Sequence, residues 1–387
     1  MFKVKNKIAN TVIILLFLLP YIYLPNYVLK GTPQKIFKTY SMIIYIFTIL
    51  VYMKKNKFKL PSITILVAIM HLIPLVSTFL NDKSQMEMAF KMFIGTISLS
   101  LLIDYNISNR EENFLKSVMI LFGTLVLINI SSFYIYYPSM DPRQLYFYFL
   151  GNDNGSIYET FLFTYIAIIY FLTYKKKIPT YFYAILIYIF LGYFYVHSGN
   201  GMVCMLVTIL FSIFYDLNLI SKITNPIGFL IVYIFFFLNI VVYRTNNIFV
   251  NFVLKKLEKS STFSGRTFLW DKSFIYIKKH PLIGNGFESV AKSTLKIGKN
   301  KTHNMILQYL YNGGYLMIGL MIIILYKLMK RIKESTLDIN VKKCMKFSIF
   351  LFLVISLFDF YINKFTFIMI IMIYYVMCSN NKESKNV

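Results

Sequence analysis

PIGFLIVYIFFFLNIVVY, residues 226–243, runs the length of a membrane crossing without one charged side chain. At about 1.5 Å per residue, such a run matches the roughly 30 Å hydrocarbon core of a bilayer. Lipid offers the backbone no hydrogen-bond partners, so a crossing segment is a helix or part of a closed barrel. The apolar residues are continuous rather than alternating, which predicts a helix.

The pattern repeats on both sides. About 12 transmembrane helices are expected, near 8–29, 36–53, 60–80, 87–105, 114–136, 156–174, 180–197, 201–220, 226–243, 304–327, 345–361 and 364–378. The 387 residues are 57% hydrophobic, and the mean hydropathy is +0.61. That composition excludes an ordinary soluble domain and predicts an all-α integral membrane protein. Cys204, Cys344 and Cys378 sit in or at the ends of apolar runs, with neither ligand spacing nor a disulfide framework. The N-terminus (Lys3, Lys5, Lys7, then an apolar run) resembles a signal peptide but lacks a small-residue cleavage site, and reads as a retained first span.

The net charge is +25. In a soluble chain that excess would suggest nucleic acid. Here Lys3/Lys5/Lys7, Lys54/Lys55/Lys57/Lys59, Lys175/Lys176/Lys177 and the group from Lys327 to Lys346 all fall on one side of the expected spans. By the positive-inside rule that side is cytoplasmic, with both termini inside and no nucleic acid as partner. Two segments on the other side are long. One covers 137–155 and carries Arg143. The other, 244–303, is far longer than ordinary connections. It holds Arg244, Arg266 and ten lysines (Lys255, Lys256, Lys259, Lys272, Lys278, Lys279, Lys292, Lys296, Lys299 and Lys301) against Glu258, Asp271 and Glu288. Such a concentration of cations fits anionic lipid headgroups or an anionic substrate. The expected division is 1–197 as N-terminal spans, 198–378 as a core containing loop 244–303, and 379–387 as a cytoplasmic tail.

The long loop carries the candidate chemistry. Thr267 to Lys279 predicts an interfacial helix with Trp270, Phe274 and Ile277 on one face. Arg266 stands just before it. A guanidinium matches the paired oxygens of a diphosphate, although an arginine here also suits headgroup contact. Arg244, at a span end, is open to both readings. His303 precedes the span at 304. Its imidazole titrates near neutrality and can accept a proton from a hydroxyl, or simply cap the helix. Gly284-Asn285-Gly286 offers backbone N–H groups to phosphate oxygens, a weak signal alone. His197-Ser198-Gly199-Asn200-Gly201 is a second polar break on the same side. Asp359 and Glu159 are carboxylates near span ends, and an ionisable group at membrane depth is a candidate by default. No metal-ligand cluster and no Asp-x-Asp pair is present in the sequence, so neither a metal nor another cofactor is expected.

In combination these elements resemble the O-antigen polymerase and O-antigen ligase family. The resemblance rests on Ser264-Gly265-Arg266 with Trp270, on His280-Pro281-Leu282-Ile283-Gly284-Asn285-Gly286, and on His303-Asn304 with Leu307-Gln308 before Gly313-Gly314. It implies a C-type, metal-independent membrane glycosyltransferase with one long external loop. It also implies an undecaprenyl-diphosphate-linked oligosaccharide as substrate, with membrane lipids and a chain-length regulator as partners. Arg266 and His303 would be catalytic. Arg244, Arg143, Lys256, Gly284, Gly286, Asn200 and Asn304 would contact substrate. Asn200 stands where the family often has an arginine, so Arg244, Arg143 or a loop lysine is expected to supply the second cation. Polymerase is the leading expectation. A ligase shares the motif, and a flippase for lipid-linked oligosaccharide should instead show two related halves.

Overall fold

A computed structural model describes residues 2–25, 27–137, 148–217, 225–243, 265–362 and 364–381, with the side chains of residues 2–8 excepted. The helices in chain order are α1 (Phe2–Leu18), α2 (Thr32–Lys55), α3 (Ser62–Asn81), α4 (Met86–Tyr136), α5 (Asp153–Tyr170), α6 (Thr180–Tyr195) and α7 (Gly199–Phe214). After them come α8 (Pro226–Phe237), α9 (Arg266–Lys279), α10 (Val290–Ile297), α11 (Met305–Glu334), α12 (Ile339–Ile355) and α13 (Thr366–Asn380). No strand occurs among the described residues. Five segments are long and apolar enough to cross a membrane: Thr32–Lys55, Ser62–Asn81, Lys83–Tyr136, Asp153–Lys175 and Pro226–Tyr243. The chain is an all-α, multi-pass membrane protein.

The sequence separates residues 87–136 into two spans, whereas the structure joins them in α4. A 51-residue helix would be about 76 Å long, more than twice the bilayer core. It therefore cannot run straight across, and the backbone leaves helical geometry at Arg110 (φ −158°, ψ 51°). Its two halves cover the residues of the two expected spans, with the break at Arg110 between them.

Burial follows the hydrophobic pattern. All sixteen residues from Gly155 to Tyr170 of α5 are buried, and α13 is buried along most of its length. Both carry apolar residues on every face over most of their length, as a helix enclosed by other helices does. In contrast, α2 and α8 keep large apolar side chains such as Ile43, Leu50, Ile227 and Ile231 exposed. In a membrane protein those faces meet lipid.

Helix α11 breaks at Gly314 (φ 62°, ψ −162°), and the Pro281–Gly286 turn fills the break. The Tyr315 and Leu316 N–H groups donate to the Pro281 and Leu282 carbonyls (2.7 and 3.2 Å). In return, the Asn285 and Gly286 N–H groups donate to the Tyr311 and Asn312 carbonyls (2.7 and 3.0 Å). Backbone groups stranded by the kink are thus satisfied by the inserted turn. Glycine is required by the close approach. A Cβ on Gly314 would lie 2.3 Å from the Leu282 oxygen, and one on Gly286 would lie 2.4 Å from the Thr78 nitrogen.

Candidate functional site

The turn holds α11 at its kink, about two to three helical turns beyond the segment carrying His303. Asn304 is the N-cap: its Oδ1 accepts from the Leu307 N–H (3.0 Å), as helix starts demand. Its Nδ2 donates to the Leu357 carbonyl (3.1 Å), tying this start to the loop between α12 and α13. From the other side, the buried Trp270 indole N–H donates to the Thr302 carbonyl (3.0 Å). The short segment 301–304 is therefore held from three directions. It carries His303 in the left-handed region (φ 55°), sparsely populated for a residue with a Cβ.

That conformation brings His303 to Asp359. Its Nδ1 lies 3.0 Å from Asp359 Oδ1. The same oxygen accepts from Lys301 Nζ (2.8 Å) and from the Phe360 N–H (2.9 Å). The Asp359 backbone carbonyl accepts from the Tyr158 hydroxyl on α5. Helix α12 ends at Ile355, short of the span end expected at 361, so Asp359 belongs to the connecting loop rather than the spanning segment. The Lys301 ammonium also sits 3.0 Å from the centre of the Tyr361 ring. The Tyr361 hydroxyl donates to Asn152 Oδ1 (3.0 Å), and that oxygen also caps α5 through the Gly155 N–H (2.7 Å).

A second buried pair stands behind the first. Lys364 Nζ reaches both Glu159 oxygens (2.7 Å each) and the Gly155 carbonyl (2.8 Å). Both side chains are only 3% exposed. The α5 start, the 301–304 segment and the 356–365 loop thus meet at one end of the bundle.

The electrostatics assign roles. Burial alone would raise the Asp359 carboxyl, but the Lys301 charge and the His303 hydrogen bond outweigh it and hold the group below the usual carboxylate range. Asp359 is thus an anion. Burial lowers the His303 imidazole below its ordinary value. The Asp359 hydrogen bond and charge oppose this, and the Lys301 and Arg266 charges reinforce it. His303 is therefore neutral at pH 7. Since Nδ1 faces a carboxylate, it carries the proton, and Nε2 keeps a lone pair for a substrate proton. Burial lowers Lys301 to about 8 against the attraction of Asp359, with Lys364 and Arg266 adding to the lowering. Arg266, at the first position of α9, is half-buried and makes no hydrogen bond or ion pair among the described residues. The charges of Lys301 and Lys364 are matched by Asp359 and Glu159, whereas no carboxylate among the described residues matches that of Arg266.

The expected residues divide sharply. His303 and Arg266 come to one place. Arg143, Arg244, Lys256 and Ser264 lie outside the described residues. Gly284 and Gly286 do not form the expected phosphate cradle. Their N–H groups donate to the His280 and Asn312 carbonyls, and that of Asn285 donates to Tyr311. Asn304 is consumed as a cap and a loop tie, instead of facing substrate. Asn200, half-buried in the first turn of α7, donates to the Ile355 carbonyl (3.4 Å). Helix α9 forms as expected but buries Leu269, Trp270 and Ile277 against the protein rather than presenting them to lipid. Lys301, Tyr361 and Lys364 were not singled out by sequence. The available signal was two lysines flanking His303 and Asp359 at short range. Among the described residues no group of three or more His, Cys, Asp or Glu side chains is placed to hold a metal.

Residues 183–324 match the model of a family described as O-antigen ligase. The match runs from α6 into α11 and takes in Asn200, Arg266 and His303. It does not reach Asp359, which the fold adds to the site. No curated protein is matched by the chain.

Proposed function

We propose that this membrane protein, which carries an O-antigen ligase family region, is a polysaccharide polymerase of the O-antigen or capsule kind. It transfers a growing glycan from undecaprenyl diphosphate to a hydroxyl of another lipid-linked repeat unit. The observation that carries the reading is the neutral His303, aligned by the Asp359 carboxylate, beside an Arg266 guanidinium with no carboxylate of its own among the described residues.

In this reading Arg266 grips the donor diphosphate, and Lys301, which shares Asp359 with His303, is the second cation. The acceptor hydroxyl loses its proton to His303 Nε2 as its oxygen attacks the anomeric carbon. The bond from that carbon to the diphosphate oxygen breaks, and its electron pair leaves with the lipid diphosphate. Arg266 and Lys301 stabilise the charge that develops there. Asp359 stabilises the imidazolium formed, as a buried carboxylate does behind any histidine base. A single displacement inverts the anomeric centre. The end carrying His303 lies on the external face and both termini in the cytoplasm, supported by the lysine clusters at the opposite end.

A glycan ladder from cells lacking the chain tests this function. Single repeat units on lipid, extended to polymer when the gene is restored, support polymerase. Full-length polymer stranded on its lipid carrier would make the chain a ligase with the same site chemistry. Failure of lipid-linked units to reach the outer face would make it a flippase and refute the site assignment.

A further inference from the structure

At the end of the bundle opposite His303, a cleft of about 160 Å³ opens between α1, α2 and the first half of α4. Its apolar part is lined by Ile14, Phe17, Val51, Leu101 and Leu102, with the half-exposed Ile13 and Phe47 at its rim. Its mouth is polar and cationic, formed by Lys55, Tyr105, Asn106 and Arg110. Lys55 Nζ donates to the Tyr105 hydroxyl (2.7 Å), and Arg110 donates to Asn10 Oδ1 (3.2 Å). Neither cation meets a carboxylate among the described residues. The nearby acids are engaged by phenols: Asp104 by Tyr52 (2.6 Å), Glu111 by Tyr174 (2.7 Å) and Glu112 by Tyr170 (3.4 Å). None of the three lines the cleft.

Two further side chains point to an occupant. Asn106 is 3% exposed, and its Oδ1 has no hydrogen-bond partner among the described residues. Thr48 is 7% exposed and its hydroxyl is likewise unpartnered. Both line the cleft. A buried polar atom without a partner costs free energy, so a cleft with two such atoms is suited to a ligand that satisfies them.

We propose that this cleft binds one anionic glycerophospholipid. Its phosphate sits at the mouth between Lys55 and Arg110. A headgroup hydroxyl donates to Asn106 Oδ1, and an ester carbonyl accepts from the Thr48 hydroxyl. A short stretch of one acyl chain lies along the apolar part of the cleft, whose whole volume, mouth included, is close to that of a cavity that holds benzene, and the rest of the lipid stays in the bilayer. Two cations next to anionic lipid favour it over a zwitterionic one by about 30-fold. The site is independent of the glycosyl-transfer reading, because it lies at the other end of the bundle and shares no residue with it.

The test is native mass spectrometry of the full-length protein in detergent, titrated with phosphatidylglycerol or phosphatidylcholine. One phosphatidylglycerol adduct should survive at about 30-fold lower lipid concentration than the phosphatidylcholine adduct. Lys55→Gln with Arg110→Gln should abolish the preference. Val51→Trp, which leaves the charges intact but fills the apolar part of the cleft, should remove the adduct. Inorganic phosphate should not displace it. Equal retention of the two lipids by the wild type would overturn the proposal without recourse to any variant. So would a preference that survives the double substitution. Retention by Val51→Trp would reduce the effect to general attraction to a lysine-rich surface. Displacement by inorganic phosphate would make the mouth a free-anion site and overturn the lipid assignment.

Discussion

Replacing Asp359 by Asn keeps the shape of the side chain and removes its charge. Oδ1 of Asp359 now serves Lys301, His303 and the Phe360 N–H within 3.0 Å. An asparagine can still accept from Phe360 and Lys301. If instead it turns its NH₂ toward His303 Nδ1, those two bonds are lost and the imidazole proton moves to Nε2, blocking the base. In either arrangement the charge that stabilises the imidazolium is gone. Loss of a general base costs about 10²–10⁴ in rate, and the same Asp→Asn change in a serine-protease triad costs about 10⁴. The stability cost is much smaller. Lys301 titrates at about 8 with the carboxylate present, and losing the carboxylate lowers it further. The amine can escape by releasing its proton. At pH 7 the extra cost through Lys301 is therefore capped at about one unit, or ~1.4 kcal/mol. The assay is the initial rate of polymer formation by purified protein in proteoliposomes, alongside a thermal melt. The variant should lose at least about 100-fold in rate while Tm falls by only a few degrees. A rate within about threefold of wild type, or a loss no larger than the loss of folded protein, would refute the His303–Asp359 assignment.

Three other outcomes follow. Since burial lowers His303 and the base acts neutral, activity rises with pH through an acid limb. The midpoint of that limb in kcat/KM should fall below the ordinary histidine value of about 6.5, and one above it would contradict the assignment. Glu159→Gln leaves the Lys364 ammonium buried without its counter-charge and should destabilise by about 3–5 kcal/mol, with most of it recovered in a Glu159→Met/Lys364→Met double variant, both read by thermal melting. Gly286→Ala would place a Cβ 2.4 Å from the Thr78 backbone and should nearly abolish folded yield. Gly319→Ala, where nothing lies within 4 Å, should leave the yield unchanged or raise it, because alanine favours a helix interior by about 1 kcal/mol.

Hydrophobic runs made most of the fold readable, because in lipid the backbone leaves so few alternatives. A helix stands on each apolar segment, although α4 joins two of them: Asn109-Arg110-Glu111-Glu112 reads as a loop, while the chain there departs from helical geometry only at Arg110. The site was read from residues whose chemistry is conspicuous alone, Arg266 and His303. What stayed hidden depends on contacts distant in sequence. Asp359 is legible as a carboxylate near a span end, but its pairing with His303 is not: flanked by Phe358 and Phe360, it falls inside the span that hydropathy predicts, whereas the helix stops at Ile355. Lys301 is one lysine in a lysine-rich loop, and only its bond to Asp359 distinguishes it. Gly284-Asn285-Gly286 resembles an anion cradle locally. Its N–H groups are used at His280 and at the α11 kink, the latter more than twenty residues further on.

The central claim is that the His303 imidazole accepts the acceptor's proton. Its most direct test is polymer synthesis by purified protein in proteoliposomes supplied only with lipid-linked repeat unit, comparing wild type with His303→Asn. Asparagine tolerates the left-handed backbone that position 303 adopts, so the substitution removes the ring while sparing the fold. The account predicts a ladder of increasing length from wild type and unextended repeat unit from the variant, with the two proteins melting alike. A full ladder from His303→Asn would contradict it.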